Sequence, residues 1–107
     1  MDTMLMIRFR YSCSQEELSR LATDFATNVR PHVEGLVWKI YLNDPNERRS
    51  AGLYLFRDLQ SANSYLNSSY VQHLSGAPIV SDISAEVFQT MHEPSIQSGA
   101  RLLEQDR

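Results

Sequence analysis

The chain has 107 residues, is 42% hydrophobic and carries a formal net charge of −3, with a pI near 5.5. One domain with a modest core fits that length. The acidic balance leaves no electrostatic footprint for nucleic acid or an anionic membrane surface, and no apolar run approaches the ~18 residues of a membrane span.

The first residues, Met1-Asp2-Thr3-Met4, lack a basic segment followed by an apolar one and a cleavage site, so cytoplasmic residence is the expectation. Residues 4–11 alternate: Leu5, Ile7, Phe9 and Tyr11 point one way, Met4, Met6, Arg8 and Arg10 the other. Period two predicts a strand. Cys13 is the single cysteine, so no internal disulfide forms; it reads as an ordinary loop thiol before a helix. Ser14-Gln15-Glu16-Glu17 matches a capping box. Leu18, Leu21, Ala22, Phe25, Ala26 and Val29 follow as one apolar stripe, and Pro31 ends this first helix at about Arg30.

Gly35 opens a second strand, about residues 36–43, with Trp38, Ile40 and Leu42 on one face and Val37, Lys39 and Tyr41 on the other. Asn43-Asp44-Pro45-Asn46 is turn chemistry. A third strand, about residues 51–57, puts Leu53 and Leu55 on one face and Tyr54 and Phe56 on the other. A short polar connection makes the two a hairpin, and a simple pairing sets Tyr54 opposite Lys39. Asp58 is a candidate N-cap for a second helix, with Ala62, Leu66, Tyr70 and His73 beside Leu74 as its inner stripe; Gly76 and Pro78 stop it. The last strand, about residues 80–91, sets Ile83, Ala85 and Val87 against Ser84, Glu86 and Phe88. The domain spans residues 1–93; residues 94–107 form a polar tail in which Leu102 and Leu103 either dock or fray.

The order is βαββαβ, an α+β ferredoxin-like plan: a four-stranded antiparallel sheet with both helices on one face. Strands two and three are apolar on both faces, which asks for a cover on each side. The helices supply one. A second copy of the chain would supply the other, giving a homodimer with two sheets face to face.

The four glycines are scattered, with no GxGxxG or Walker A pattern to cradle a nucleotide. His32, His73 and His92 fall in three elements without metal-ligand spacing, and no GxSxG turn occurs. No cofactor and no metal is therefore expected. What remains is aromatic and phenolic: Trp38, Tyr41, Tyr54, Tyr65 and Tyr70, with Lys39, Asn63 and His73.

The segments Gly35-Leu36-Val37-Trp38-Lys39-Ile40, Gly52-Leu53-Tyr54-Leu55-Phe56, Ser61-Ala62 with Tyr65-Leu66, and Val87-Phe88 with Glu93-Pro94 resemble the YdhR family of monooxygenases. The resemblance runs from the first strand to the Glu-Pro after the last. It is most specific from the second strand into the second helix. It implies membership of the dimeric α+β barrel superfamily, and an activity similar to that of antibiotic-biosynthesis monooxygenases: cofactor-independent oxygenation of a small aromatic or quinol-type molecule by dioxygen.

Such chemistry needs an apolar pocket, donors for a substrate anion and a base. The expected site lies in the cleft between sheet and helices. His73 is the base candidate. Trp38 and Tyr54 shape the pocket and donate hydrogen bonds; Tyr65, Lys39, Asn63 and Tyr70 complete the substrate-binding set. Each has a plainer reading beside this one. Trp38 and Tyr54 also suit core or interface packing, Lys39 suits a pairing with Glu86, and His73 suits a surface role. Arg8 and Arg10 read as interface or edge ion pairs. A non-catalytic ligand-binding or stress-response dimer, and a haem-handling enzyme using His73 as ligand, are the competing functions on the same fold.

Overall fold

The computed structural model describes residues 2–100. β1 (Thr3–Tyr11) leads to α1 (Gln15–Asp24), which widens into a π-helical turn (Phe25–Val29) and a short 3-10 turn (Arg30–His32). β2 (Leu36–Asp44) and β3 (Arg49–Phe56) follow, then α2 (Leu59–Leu66), α3 (Ser69–Ser75), β4 (Val80–Gln89) and α4 (His92–Gln97). The sheet order is β2-β3-β1-β4, with each neighbouring pair antiparallel. This is the ferredoxin-like arrangement the alternation of elements predicts. No described helix is long and apolar enough to cross a membrane.

Local chemistry places each element. The Ser14 hydroxyl accepts from the Glu17 amide at 3.1 Å and caps α1. The β2–β3 hairpin closes on Asp44 opposite Arg49, whose side chains pair at 2.8 Å. Arg48, at φ 52, absorbs the left-handed turn. The Asp58 carboxylate accepts from the Ser61 amide at 2.8 Å and starts α2. Gly35 sits at φ +82, and a Cβ there would clash with the Ser61 side chain. The start of β2 and the start of α2 therefore pack together at a position that only glycine fits.

The core lies between sheet and helices. Leu5, Ile7, Leu36, Tyr54, Phe56, Ala62 and Tyr65 form it, flanked by Phe25, Val33, Leu66, Val71, Leu74 and Ile83. The register puts Lys39 opposite Tyr54 and Leu5 opposite Tyr54 on its other side, as period-two reading expects. The other sheet face presents Met4, Met6, Trp38, Ile40, Leu42, Leu53, Leu55 and Phe88. Leu55 at its centre is 1% exposed, whereas Leu42 is 45% and Phe88 52% exposed.

Three expectations change. The second helix is two helices: α2 ends at Asn67, and α3 starts afresh after Ser68, whose hydroxyl donates to the Tyr65 carbonyl at 2.5 Å. The break resets the helical phase. Val71 and Leu74 turn inward, while Tyr70 and His73 do not continue the stripe of Ala62 and Leu66. Second, no residue of α1 is buried; from the expected stripe only Phe25, in the π-helical turn beyond it, packs against the core. The widened turn rotates its own residues away from the α-helical phase. Third, the start of the expected tail, residues 94–97, belongs to a helix that begins at His92; Leu102 and Leu103 lie outside the described residues.

Candidate active site

Lys39 and Tyr54 are cross-strand partners, so both rise toward the helices from adjacent strands. The Lys39 Nζ lies 3.9 Å from the ring centroid of Phe25, 4.3 Å from that of Tyr41 and 4.6 Å from that of Tyr54. Three pieces of chain build this box: the π-helical turn, β2 and β3. The negative faces of the rings attract the ammonium. Burial acts the other way and pulls the amine from 10.5 down to about 7. Among the described residues no salt bridge reaches Lys39; the Glu86 carboxylate, its expected partner, holds Arg8 at 2.9 Å on the opposite face. Arg10 approaches Asp82 at 3.8 Å, so both arginines of the interior strand β1 pair with acids of β4.

Gly52 makes room for this arrangement. A Cβ there would come within 2.9 Å of both Lys39 Cε and Tyr54 Cε1. The bare backbone is the hollow that the lysine stem crosses.

Phe25 is also the hub of the surrounding rings. It meets Tyr41, Tyr54 and Tyr65 edge-on, at centroid separations of 6.4, 6.0 and 6.2 Å. Tyr54 and Tyr65 lie 5.2 Å apart. Burial pushes both of their phenols up. A hydrogen bond between their hydroxyls, donated by Tyr54, adds to the rise at Tyr54 and eases it at Tyr65. Both are thus neutral at pH 7, with the Tyr54 proton directed to the Tyr65 oxygen. At the far end of the layer, Tyr11 donates to Asn43 at 2.7 Å, Asn43 to Gln15 at 2.8 Å and Gln15 to Tyr11 at 2.8 Å. That closed ring of bonds fixes the start of α1 to β1 and β2. β2 is an edge strand, and Tyr41 is 41% exposed, so the aromatic layer meets solvent at this edge.

The structure brings together Lys39, Tyr54 and Tyr65 from the expected set. It does not bring the others to them. Trp38 pairs with Leu55 on the opposite sheet face, and the sheet itself stands between it and Tyr54. Its Nε1 is buried without a hydrogen-bond partner among the described residues. Asn63 and Tyr70 are exposed, as is His73 on α3. No group of three His, Cys, Asp or Glu among the described residues could hold a metal. Cys13 is buried, and its carbonyl accepts from Arg48 at 2.6 Å.

Phe25 and Gly52 are the site residues that sequence reading missed, and Tyr41, among the aromatic candidates, received no role. One signal points to them: of ten Lys and Arg, nine are arginine and Lys39 is the only lysine. A lone lysine amid strand aromatics is a titratable amine where arginine would be a fixed charge.

A family profile described as "Putative mono-oxygenase ydhR" matches residues 4–101. No curated protein matches. Among solved structures, SO0527 from Shewanella oneidensis superposes with a TM-score of 0.63 at 14% identity, over 83% of this chain and 90% of that one. Rv0793 from Mycobacterium tuberculosis gives 0.63 at 10% identity, over 87% and 98%. SnoaB from Streptomyces nogalater, described as a cofactor-independent oxygenase, gives 0.57 at 17% identity, over 86% and 98%. At these identities the likeness is one of fold.

Proposed function

The chain belongs to the YdhR mono-oxygenase family, and from that premise we propose that it oxygenates a small aromatic or quinol-type molecule with dioxygen and no bound cofactor. One observation carries the reading: an amine with no carboxylate partner among the described residues, boxed by three rings, next to a hydrogen-bonded pair of buried phenols. The rings offer apolar faces to a flat substrate. Lys39 offers charge to its oxyanion, and Tyr65, whose oxygen accepts from Tyr54, offers its own hydroxyl proton. The fold likeness to SnoaB, a cofactor-independent oxygenase, supports the same reaction class.

The substrate itself is the reductant. Written as RH2, it loses a proton to give a carbanion or enolate. This passes an electron to dioxygen, and the radical pair combines to a peroxide at carbon. Loss of water breaks the O–O bond and leaves R=O, so one oxygen atom enters the product and the other leaves as water. The protein's part is to hold the anion and keep its ring flat against Phe25 and Tyr41.

The proposed assembly includes a second copy of the chain on the open sheet face. The exposed Ile40, Leu42 and Phe88 around a buried Leu55 support it.

The test is mass spectrometry of products formed by metal-free protein from anthrone- and hydroquinone-type compounds under ¹⁸O2. The expected product carries one ¹⁸O above the autoxidation control. A competing non-catalytic binder would retain such compounds without labelled product, and that outcome would overturn the oxygenase reading.

A further inference from the structure

We propose that Lys39 is the general base of this site, taking the proton from the substrate and then, as an ammonium ion, holding the anion it has made. The inference rests on the oxygenase reading for the steps after deprotonation, but not for deprotonation itself.

The surroundings of Lys39 suit a base better than a fixed charge. A permanent cation in a protein interior is ordinarily held by a carboxylate. Here the facing groups are Tyr41 from β2, Tyr54 from β3, Phe25 from the π-helical turn and, beyond Tyr54, Tyr65 from α2. The exposed Arg30 of the flanking 3-10 turn donates to the Val37 carbonyl at 2.9 Å. Two phenol rings and one hydrocarbon ring face the amine, and no carboxylate among the described residues forms a salt bridge with it. Desolvation favours its neutral form, and ring faces keep its charged form within reach. Such a group moves a proton at little cost in either direction. Gly52 keeps the Nζ at the rings by leaving its stem an unobstructed path.

The step balances. The neutral Lys39 amine takes one proton from an acidic C–H or O–H of the substrate, giving the substrate anion and a Lys39 ammonium. When dioxygen has added, the peroxide oxygen takes that proton back. Water is then eliminated, and Lys39 is neutral again for the next turnover.

Two variants separate base from charge. Lys39→Arg keeps a cation and removes the base; Lys39→Met removes both. The first readout needs no oxygen. An anaerobic chromophoric hydroquinone or anthrone is mixed with wild-type protein at pH 8 in weak buffer with an indicator dye. The anion's absorbance is expected to appear with no net proton released, because Lys39 keeps the proton. Lys39→Arg is expected to release one proton per anion formed, and Lys39→Met to form no anion. Because Lys39 is the only lysine, reductive methylation with ¹³C-formaldehyde labels one side chain and the N-terminus. Its NMR titration should place the midpoint near 7. In turnover, Lys39→Arg should lose about 100-fold or more of kcat at pH 7, on the order expected for a general base.

One released proton in the wild type, or no anion with any compound, would overturn the base role. So would an Arg variant within threefold of wild-type turnover. Anion formation with the proton retained, but no oxygen uptake, would leave the base standing and remove the oxygenase reading instead.

Discussion

Replacing Lys39 by Met should change stability in a pH-dependent way. The amine falls from 10.5 unfolded to about 7 folded. At about 1.4 kcal/mol per pKa unit, the cost of charging the buried group is at most about 5 kcal/mol. The three ring faces offset part of this, at about 0.5–1 kcal/mol each. The sign follows from proton binding. Between about pH 7 and 10.5 the unfolded chain holds a proton that the folded chain has released, so wild-type stability rises with pH through this window. Below about 7 both states are protonated and the full cost is present. Met, similar in length and apolar, carries no such cost. Urea unfolding should therefore find Lys39→Met more stable than wild type at pH 6, with the gap closing by about 1–3 kcal/mol by pH 9. A gap that stays constant from pH 6 to pH 9 would refute a depressed amine. A variant less stable at both would show that the ring contacts outweigh burial.

The geometry gives three further expected outcomes. Gly52→Ala forces a methyl group into Lys39 Cε and Tyr54 Cε1; it should cost about 1–3 kcal/mol in urea unfolding and displace the amine, visible as a lysine titration moved toward 10.5. Tyr54→Phe keeps the ring and removes the hydroxyl that bonds Tyr65; a loss of about 1 kcal/mol in stability with a roughly 10-fold or greater fall in turnover is expected, and unchanged turnover would show that the Tyr54–Tyr65 hydroxyl bond has no part in holding the anion. Phe88→Glu places a charge on the open sheet face, where Phe88 is 52% exposed; sedimentation velocity should show a dimer in the wild type and a monomer in the variant, whereas a wild-type monomer would remove the second copy from the assembly.

How far the sequence reaches depends on which periodicities hold. Strands keep theirs. Alternation at Leu5, Ile7 and Tyr11, and at Tyr54 and Phe56, assigns the helix-covered face, and the hairpin pairing sets Lys39 against Tyr54. Helical phase holds less well. The stripe running Ala62, Leu66, Tyr70 and His73 crosses a break at Asn67 and Ser68, where the second of these starts a new helix. Once phase resets, His73 is carried to the surface, and with it the expected base. The π-helical turn is equally silent in sequence: nothing local to Phe25-Ala26-Thr27-Asn28-Val29 announces that it will widen and lay Phe25 over Lys39. Size and amphipathic character group Trp38 with Tyr54; adjacent positions in a strand point to opposite faces, and that alone separates Trp38 from Lys39. Chemistry outruns geometry at Lys39. Its type is legible as an anion stabiliser, but its desolvation depends on a ring that arrives from another element.

Oxygen uptake by wild type, Lys39→Met and Trp38→Phe, side by side on anthrone- and hydroquinone-type compounds, tests the central claim most directly. A site on the helix-covered face of the sheet predicts saturable uptake in the wild type, retained in Trp38→Phe and reduced about 100-fold or more in Lys39→Met. Uptake abolished in Trp38→Phe but kept in Lys39→Met would put the chemistry on the opposite face, and flat traces for the wild type would contradict an oxygenase altogether.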